Sequence, residues 1–247
     1  VAMGYYPLVA ITSADNYVAF VYQAGGALPT GSQNVIIGMN AVGVGVLTGD
    51  NNVAIGYQAG QDLTSANKNT IIGDQAYKQA TTGAENVIIG YLAGGAQAAD
   101  SGLNVVIGNE AAEEMTSMSE ATIVGYKAAT SNTSGSHILA MGYQAYDGAD
   151  TENHNLAIGS AALGGSVAGG EYNVAVGNYT LDALTSGDYN TALGYAAGTD
   201  LTTGDRNTFI GHEAGKDCIG GGQNVAIGDA AGSGALSTAA GRNVMIG

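Results

Sequence analysis

Tryptophan is absent from this chain, phenylalanine and proline occur twice each, cysteine once, and lysine and arginine together six times in 247 residues. Each scarcity excludes something. Large aromatic side chains fill the closed interior that a chain of this length ordinarily builds as one or two globular domains, and here they are missing. The single cysteine, Cys218, excludes an intrachain disulfide framework and reads as a small buried filler. Six bases against 21 acids leave a formal charge of −15, which repels a phosphate backbone or an anionic bilayer, so nucleic acid is not an expected partner. No run approaches the roughly 18 to 20 apolar residues of a membrane helix, so membrane insertion is not expected, and no signal segment is visible at Val1.

What the chain has instead is glycine, 41 residues of it, and apolar residues at 45% that recur in phase, which a disordered segment lacks. The pentad Asn52-Val53-Ala54-Ile55-Gly56 returns along the whole sequence. With its glycine as register mark, the series runs Gly4, Gly38, Gly56, Gly73, Gly90, Gly108, Gly125, Gly142, Gly159, Gly177, Gly194, Gly211, Gly228 and Gly247, with Val21 in the one slot that lacks glycine. Most steps are 17 residues, a few 18, and the last 19. A short fixed period over an entire chain signals stacked repeats. The expected fold is all-β, a parallel β-solenoid or β-roll of about 14 coils. It occupies 1–247 as a single repetitive shaft. Because the sequence begins and stops in the same phase, without atypical end caps, it is expected to be an interior segment of a longer chain.

The position before the glycine is apolar throughout, as in Ile37, Ile55, Val124, Leu193 and Ile246, and two positions earlier stand mostly β-branched residues such as Val35, Val53, Thr70 and Val225. Between them lies alanine or a larger apolar group, as in Ala54, Ile71 and Phe209. Both faces of a short strand are thus apolar. One can fill the coil, and the other needs cover that a sibling chain would supply. Asparagine opens the pentad at Asn34, Asn52, Asn69, Asn86, Asn104, Asn155, Asn173, Asn190, Asn207, Asn224 and Asn243. Stacked at one strand spacing, these amides are expected to form a structural ladder. Alanine three residues after the glycine marks an inward corner, and the glycines suit positive φ or close backbone approach. Polar connectors such as Leu201-Thr202-Thr203-Gly204-Asp205 then make each coil two short strands joined by two bends.

Segments such as Asn52-Val53-Ala54-Ile55-Gly56-Tyr57-Gln58-Ala59-Gly60 and Asn190-Thr191-Ala192-Leu193-Gly194-Tyr195-Ala196-Ala197-Gly198 resemble two related groups. One is the left-handed parallel β-roll head of trimeric autotransporter adhesins, and the other is the repetitive shaft of phage tail-fibre proteins. The resemblance implies a left-handed homotrimeric rod that extends a receptor-binding part at a virion, or alternatively at a bacterial cell surface. The adhesin repeat is usually shorter, and the longer period here is more like the tail-fibre version. An alternative use is an adhesin whose rod itself binds a host-surface glycan or receptor.

Candidate contact residues come from the position five before the glycine, a variable stripe in which side chains one repeat apart become axial neighbours. Its surface candidates are His137, His154, Tyr172 and Tyr189. The histidine pair lacks a third ligand for a metal, and the turn aspartates Asp50, Asp188 and Asp205 do not form calcium-binding nonapeptides. Gly215-Lys216 lacks the spacing of a phosphate loop. Scattered acids on a rod supply no cleft for paired-carboxylate chemistry. No cofactor and no enzymatic activity are expected. A tailspike depolymerase and an ice-binding solenoid are the less favoured readings, the latter because the threonines are sporadic.

Overall fold

A computed structural model describes residues 2–5, 15–25, 30–44, 46–95, 102–234 and 241–247. The chain is an all-β parallel solenoid of about 12 turns with a repeat near 17 residues, and no helix occurs among the described residues. The glycine spacing, counted over the whole sequence, gives about 14; residues 6–14, 26–29, 45, 96–101 and 235–240 lie outside the described residues. Val1, which the apolar pattern also covers, lies outside them too. The acidic stretch Asn109 to Met115, helical by propensity, is wound as turns like its neighbours, because stacking outweighs a short local preference.

Contacts divide the chain into two units, 1–121 and 122–247. The first holds β1 (Ala2–Met3), β2 (Val18–Phe20), β3 (Val35–Ile37), β4 (Val53–Ile55), β5 (Thr70–Ile72), β6 (Val87–Ile89) and β7 (Val105–Ile107). The second holds β8 (Thr122–Val124), β9 (Leu139–Met141), β10 (Leu156–Ile158), β11 (Val174–Val176), β12 (Thr191–Leu193), β13 (Thr208–Ile210), β14 (Val225–Ile227) and β15 (Val244–Ile246). Within each unit successive strands pair in parallel and in register. Val53, Ala54 and Ile55 face Thr70, Ile71 and Ile72 in the first, and Thr191, Ala192 and Leu193 face Thr208, Phe209 and Ile210 in the second.

Each coil carries one strand, of three residues except the two-residue β1, where two were expected; the other side contributes only the isolated bridges Ala84 to Gly102 and Gly102 to Ser119 among the described residues. The reason is backbone conformation. Gln58, Lys68 and Tyr77 sit at φ 54°, 56° and 49°, and equivalent residues recur in coil after coil, so the chain bends before a second strand can extend. Backbone bonding between coils continues through these bends, as in Gln58 N–H to Met39 O at 3.0 Å and Gly60 N–H to Ala76 O at 2.9 Å.

The middle residue of the strand is the one that points inward. Ile36, Ala54, Ile71, Ala175 and Phe209 are fully buried, while the apolar residues or threonines on either side remain half-exposed or exposed. The corner alanines Ala59, Ala76, Ala128, Ala197 and Ala214 are buried as well. Interior volume is shared within and between coils. Phe209 lies where a side chain on Gly198 would approach its ring to 2.7 Å, whereas buried Tyr146 shares its coil with the small buried residues Ala140, Ala145 and Ala149. Cys218 fills the inward position held by Leu184 and Leu201 in the two preceding coils, and burial pushes its thiol pKa up.

The glycine column shows why that slot is so rarely filled by another residue. At Gly73, φ is 142° and an added Cβ would run into the carbonyl of Gly90 one coil on. The backbone turns away from the strand there and leaves room for hydrogen only.

Candidate functional site

Two kinds of side-chain column run along the coils, one inside and one outside. The inner column is asparagine. In the first unit the Nδ2 groups of Asn52, Asn69, Asn86 and Asn104 each donate to the Oδ1 of the preceding asparagine, beginning at Asn34, at 3.0–3.1 Å. The same oxygen also accepts the next backbone N–H, as in Asn69 N–H to Asn52 Oδ1 at 3.0 Å. Asn155, Asn173, Asn190, Asn207, Asn224 and Asn243 continue the pattern in the second unit, through backbone and amide donors at 2.8–3.1 Å. Most spare amide hydrogens go to a backbone carbonyl near the end of the same coil, as from Asn52 to Ala66 O and from Asn190 to Gly204 O, each 2.8 Å. Each amide within the column thus ties its own coil shut and the next coil on, with its hydrogen-bonding groups turned to the protein's own backbone and amides.

The column stops where the sequence does. Ala121 N–H still donates to Asn104 Oδ1 at 3.0 Å, but Ala121 and Ile138 offer no amide of their own. At Asn155, whose predecessor is Ile138, the hydroxyl of Tyr146 supplies the acceptor at 2.8 Å and itself donates to Glu152 O at 3.2 Å. Desolvation raises the Tyr146 pKa far above the ordinary phenol value, opposed by the bond from Asn155. Tyr77 plays a related part toward Asn86 Nδ2 at 3.1 Å. The sequence reading missed both tyrosines, because they stand four residues after the glycine, where the usual occupant is small.

Glu152 was missed too. It is buried where Gly135, Gly170 and Gly187 stand in other coils, and its carboxylate accepts backbone N–H groups from Asp150, Thr151 and Gly169 at 3.0, 3.0 and 2.8 Å. The expected turn aspartates serve between coils. Asp50 Oδ1 accepts from Ser32 N–H at 2.6 Å, Asp188 Oδ1 from Glu171 N–H at 2.9 Å and Asp205 Oδ1 from Asp188 N–H at 2.9 Å.

The outer column is the variable stripe. In the second unit it is a continuous stack: His137 to His154 with ring centroids 4.7 Å apart, His154 to Tyr172 4.8 Å, Tyr172 to Tyr189 5.0 Å, and the Arg206 guanidinium 5.3 Å over Tyr189. The rings lie within 19° of parallel, and Tyr172 and Tyr189 remain 45% and 49% exposed. In the first unit the same stripe carries the Lys68 to Glu85 ion pair at 2.7 Å, which raises the lysine pKa. A second aromatic column follows the glycine, stacking Tyr126 on Tyr143 at 5.6 Å and Tyr195 on His212 at 5.5 Å, with His212 Nδ1 3.0 Å from Asp229. His212 lies one 17-residue step beyond Tyr195, so column arithmetic was enough to find it.

Among the described residues no group of three or more His, Cys, Asp or Glu is arranged to hold a metal, and no enclosed pocket is present. No protein-family model, no curated protein and no solved structure matches the chain.

Proposed function

We propose that this chain is a structural shaft, a non-enzymatic segment of a left-handed homotrimeric rod in a virion tail fibre or a bacterial surface appendage, which holds a receptor-binding part at a distance. One observation carries the reading. On either side of each inward residue, the strands present two outward columns that are apolar or threonine and free of charge in a chain of net charge −15. They stay half-exposed or exposed: Met141 39%, Val174 36%, Leu193 47% and Ile227 36%. Two uncharged stripes sustained strand after strand form a face that water solvates poorly, and a copy of the same chain offers a matching face at the same pitch. The tail-fibre and adhesin resemblance supplies the threefold arrangement and the setting. Rigidity comes from the asparagine columns and the interlocked backbone, which suit a spacer better than a moving part.

Sedimentation of the purified chain tests the reading. A trimer is expected, and Val53→Asp with Val174→Asp should convert it to monomer by burying unpaired charge in the interface. A wild-type chain that sediments as a monomer at all concentrations sinks the proposal.

A further inference from the structure

The stripe of the second unit differs from everything around it. From His137 to Arg242 it contains no acid over seven coils, and it holds both arginines of the chain and two of its three histidines. Each ring covers its neighbour's face, so a ligand cannot stack on those faces and meets ring edges instead. Those edges carry imidazole nitrogens, then two phenol hydroxyls, then a guanidinium, at intervals of 4.7–5.3 Å. The stripe is a line of hydrogen-bonding groups at the ring spacing, in which imidazole and phenol can give and take and the guanidinium only gives.

One residue earlier, carboxylates flank the last three members of the column, Glu171, Asp188 and Asp205, while Ser136 and Asn153 stand before the two histidines. Asp188 and Asp205 each spend one carboxylate oxygen on a backbone N–H and keep a second, and Glu171 accepts from Asn153 Nδ2 at 3.1 Å. Donors and acceptors side by side suit a group that both gives and takes a hydrogen bond, which is a sugar hydroxyl. The carboxylates count against an anionic polymer, and the arginines against a cationic one. The absence of an enclosed pocket among the described residues suits a long ligand on a flat surface. A β-linked polysaccharide in extended form advances by close to one strand spacing per sugar.

We propose that the stacked column from His137 to Arg206, with the carboxylates beside it, binds a neutral, extended polysaccharide lying along the coil axis at about one sugar per coil. The site belongs to one chain and deepens the adhesin alternative; it does not depend on the self-association proposed above.

Affinity electrophoresis of the whole chain through gels containing hydroxyethylcellulose, dextran or dextran sulfate tests it, on a preparation whose oligomeric state has been measured. Hydroxyethylcellulose should retard the wild type, dextran and dextran sulfate far less. The double variant Tyr172→Phe, Tyr189→Phe keeps the ring stack and loses the hydroxyls, so it should melt like the wild type and bind about tenfold more weakly. Lys68→Ala, in the first unit, should bind as the wild type does. Absence of retardation by hydroxyethylcellulose, equal retardation of the phenylalanine variant, or stronger retardation by dextran sulfate overturns the proposal. A monomer that still binds hydroxyethylcellulose upholds the site and defeats the trimer, and an intact trimer without retardation does the reverse.

Discussion

The two units repeat the same backbone and carry different chemistry on one outer stripe. Five residues before the glycine, Asn16, Asn51, Lys68 and Leu103 of the first unit have φ of 61°, 61°, 56° and 61°, and His137, His154, Tyr172 and Tyr189 of the second have 58°, 59°, 58° and 58°. A left-handed conformation favours glycine and asparagine, and the first unit uses asparagine twice there. The second pays the conformational cost with rings, whose mutual stacking offsets it at about 0.5–1.5 kcal/mol per pair. The coil therefore fixes where a side chain stands and leaves its chemistry open. Identity at this position reports a demand of the side chains on one another or on a ligand, beyond anything the backbone requires.

The comparison fails most visibly if the backbone is not in fact common to both units. Gly73→Ala in the first and Gly211→Ala in the second place a Cβ against the carbonyls of Gly90 and Gly228, at φ of 142° and 135°. Each should cost about 3 kcal/mol or more, by strain and by separation of two coils. Chemical denaturation followed by circular dichroism should give losses of similar size for both. Tolerance in one unit alone would mean that its coils stack more loosely than the shared register suggests.

That register was legible in the sequence because a repeat writes every column many times over. A single Asn52 says little, but eleven asparagines in phase specify an inward column, and the amide geometry places them there. The apolar alternation could not say which face of the strand was inside, since valine, isoleucine and alanine are compatible with either. The structure turns Ala54 and Ile71 inward, and the middle residue ranges from alanine to phenylalanine to match what its own and adjacent coils contribute. The second strand per coil was a misreading. Positive φ at ordinary residues such as Gln58 and Lys68 leaves no mark in composition, as neither is a residue that favours turns of that hand. Singular substitutions were the hardest to see: Glu152 in a glycine column and Tyr146 in a small-residue column occur where no neighbour repeats them.

Tyr146 sharpens the comparison at an intermediate scale, since it marks the start of the second unit's asparagine column. Tyr146→Phe removes the acceptor for Asn155 Nδ2 and leaves that amide with Gly170 O alone, at an expected cost of about 1–2 kcal/mol. The pH dependence has a definite sign. Burial raises the phenol pKa in the fold above its ordinary value of 10.0, so the unfolded chain releases this proton first, and stability falls as pH rises past that value. Below it the contribution is complete. Unfolding free energies measured across the alkaline range should therefore decline less steeply in the phenylalanine variant than in the wild type. Parallel slopes would place the hydroxyl in water.

The smallest effects separate the stripes themselves. Tyr172→Ala interrupts two ring contacts, to His154 and Tyr189, and should destabilise the chain by about 1 kcal/mol. Lys68→Ala removes an ion pair whose side chains are 61% and 44% exposed, and should leave melting unchanged. Coupling measured by double-mutant cycles distinguishes their physics. Between Lys68 and Glu85 any coupling is electrostatic and should vanish in high salt, where screening acts within a few ångströms. Between Tyr172 and Tyr189 it arises from dispersion and displaced water, and should survive the same salt. If salt erased both equally, the rings would be held in place by the backbone alone, and the second unit's stripe would have no more internal cohesion than the first's.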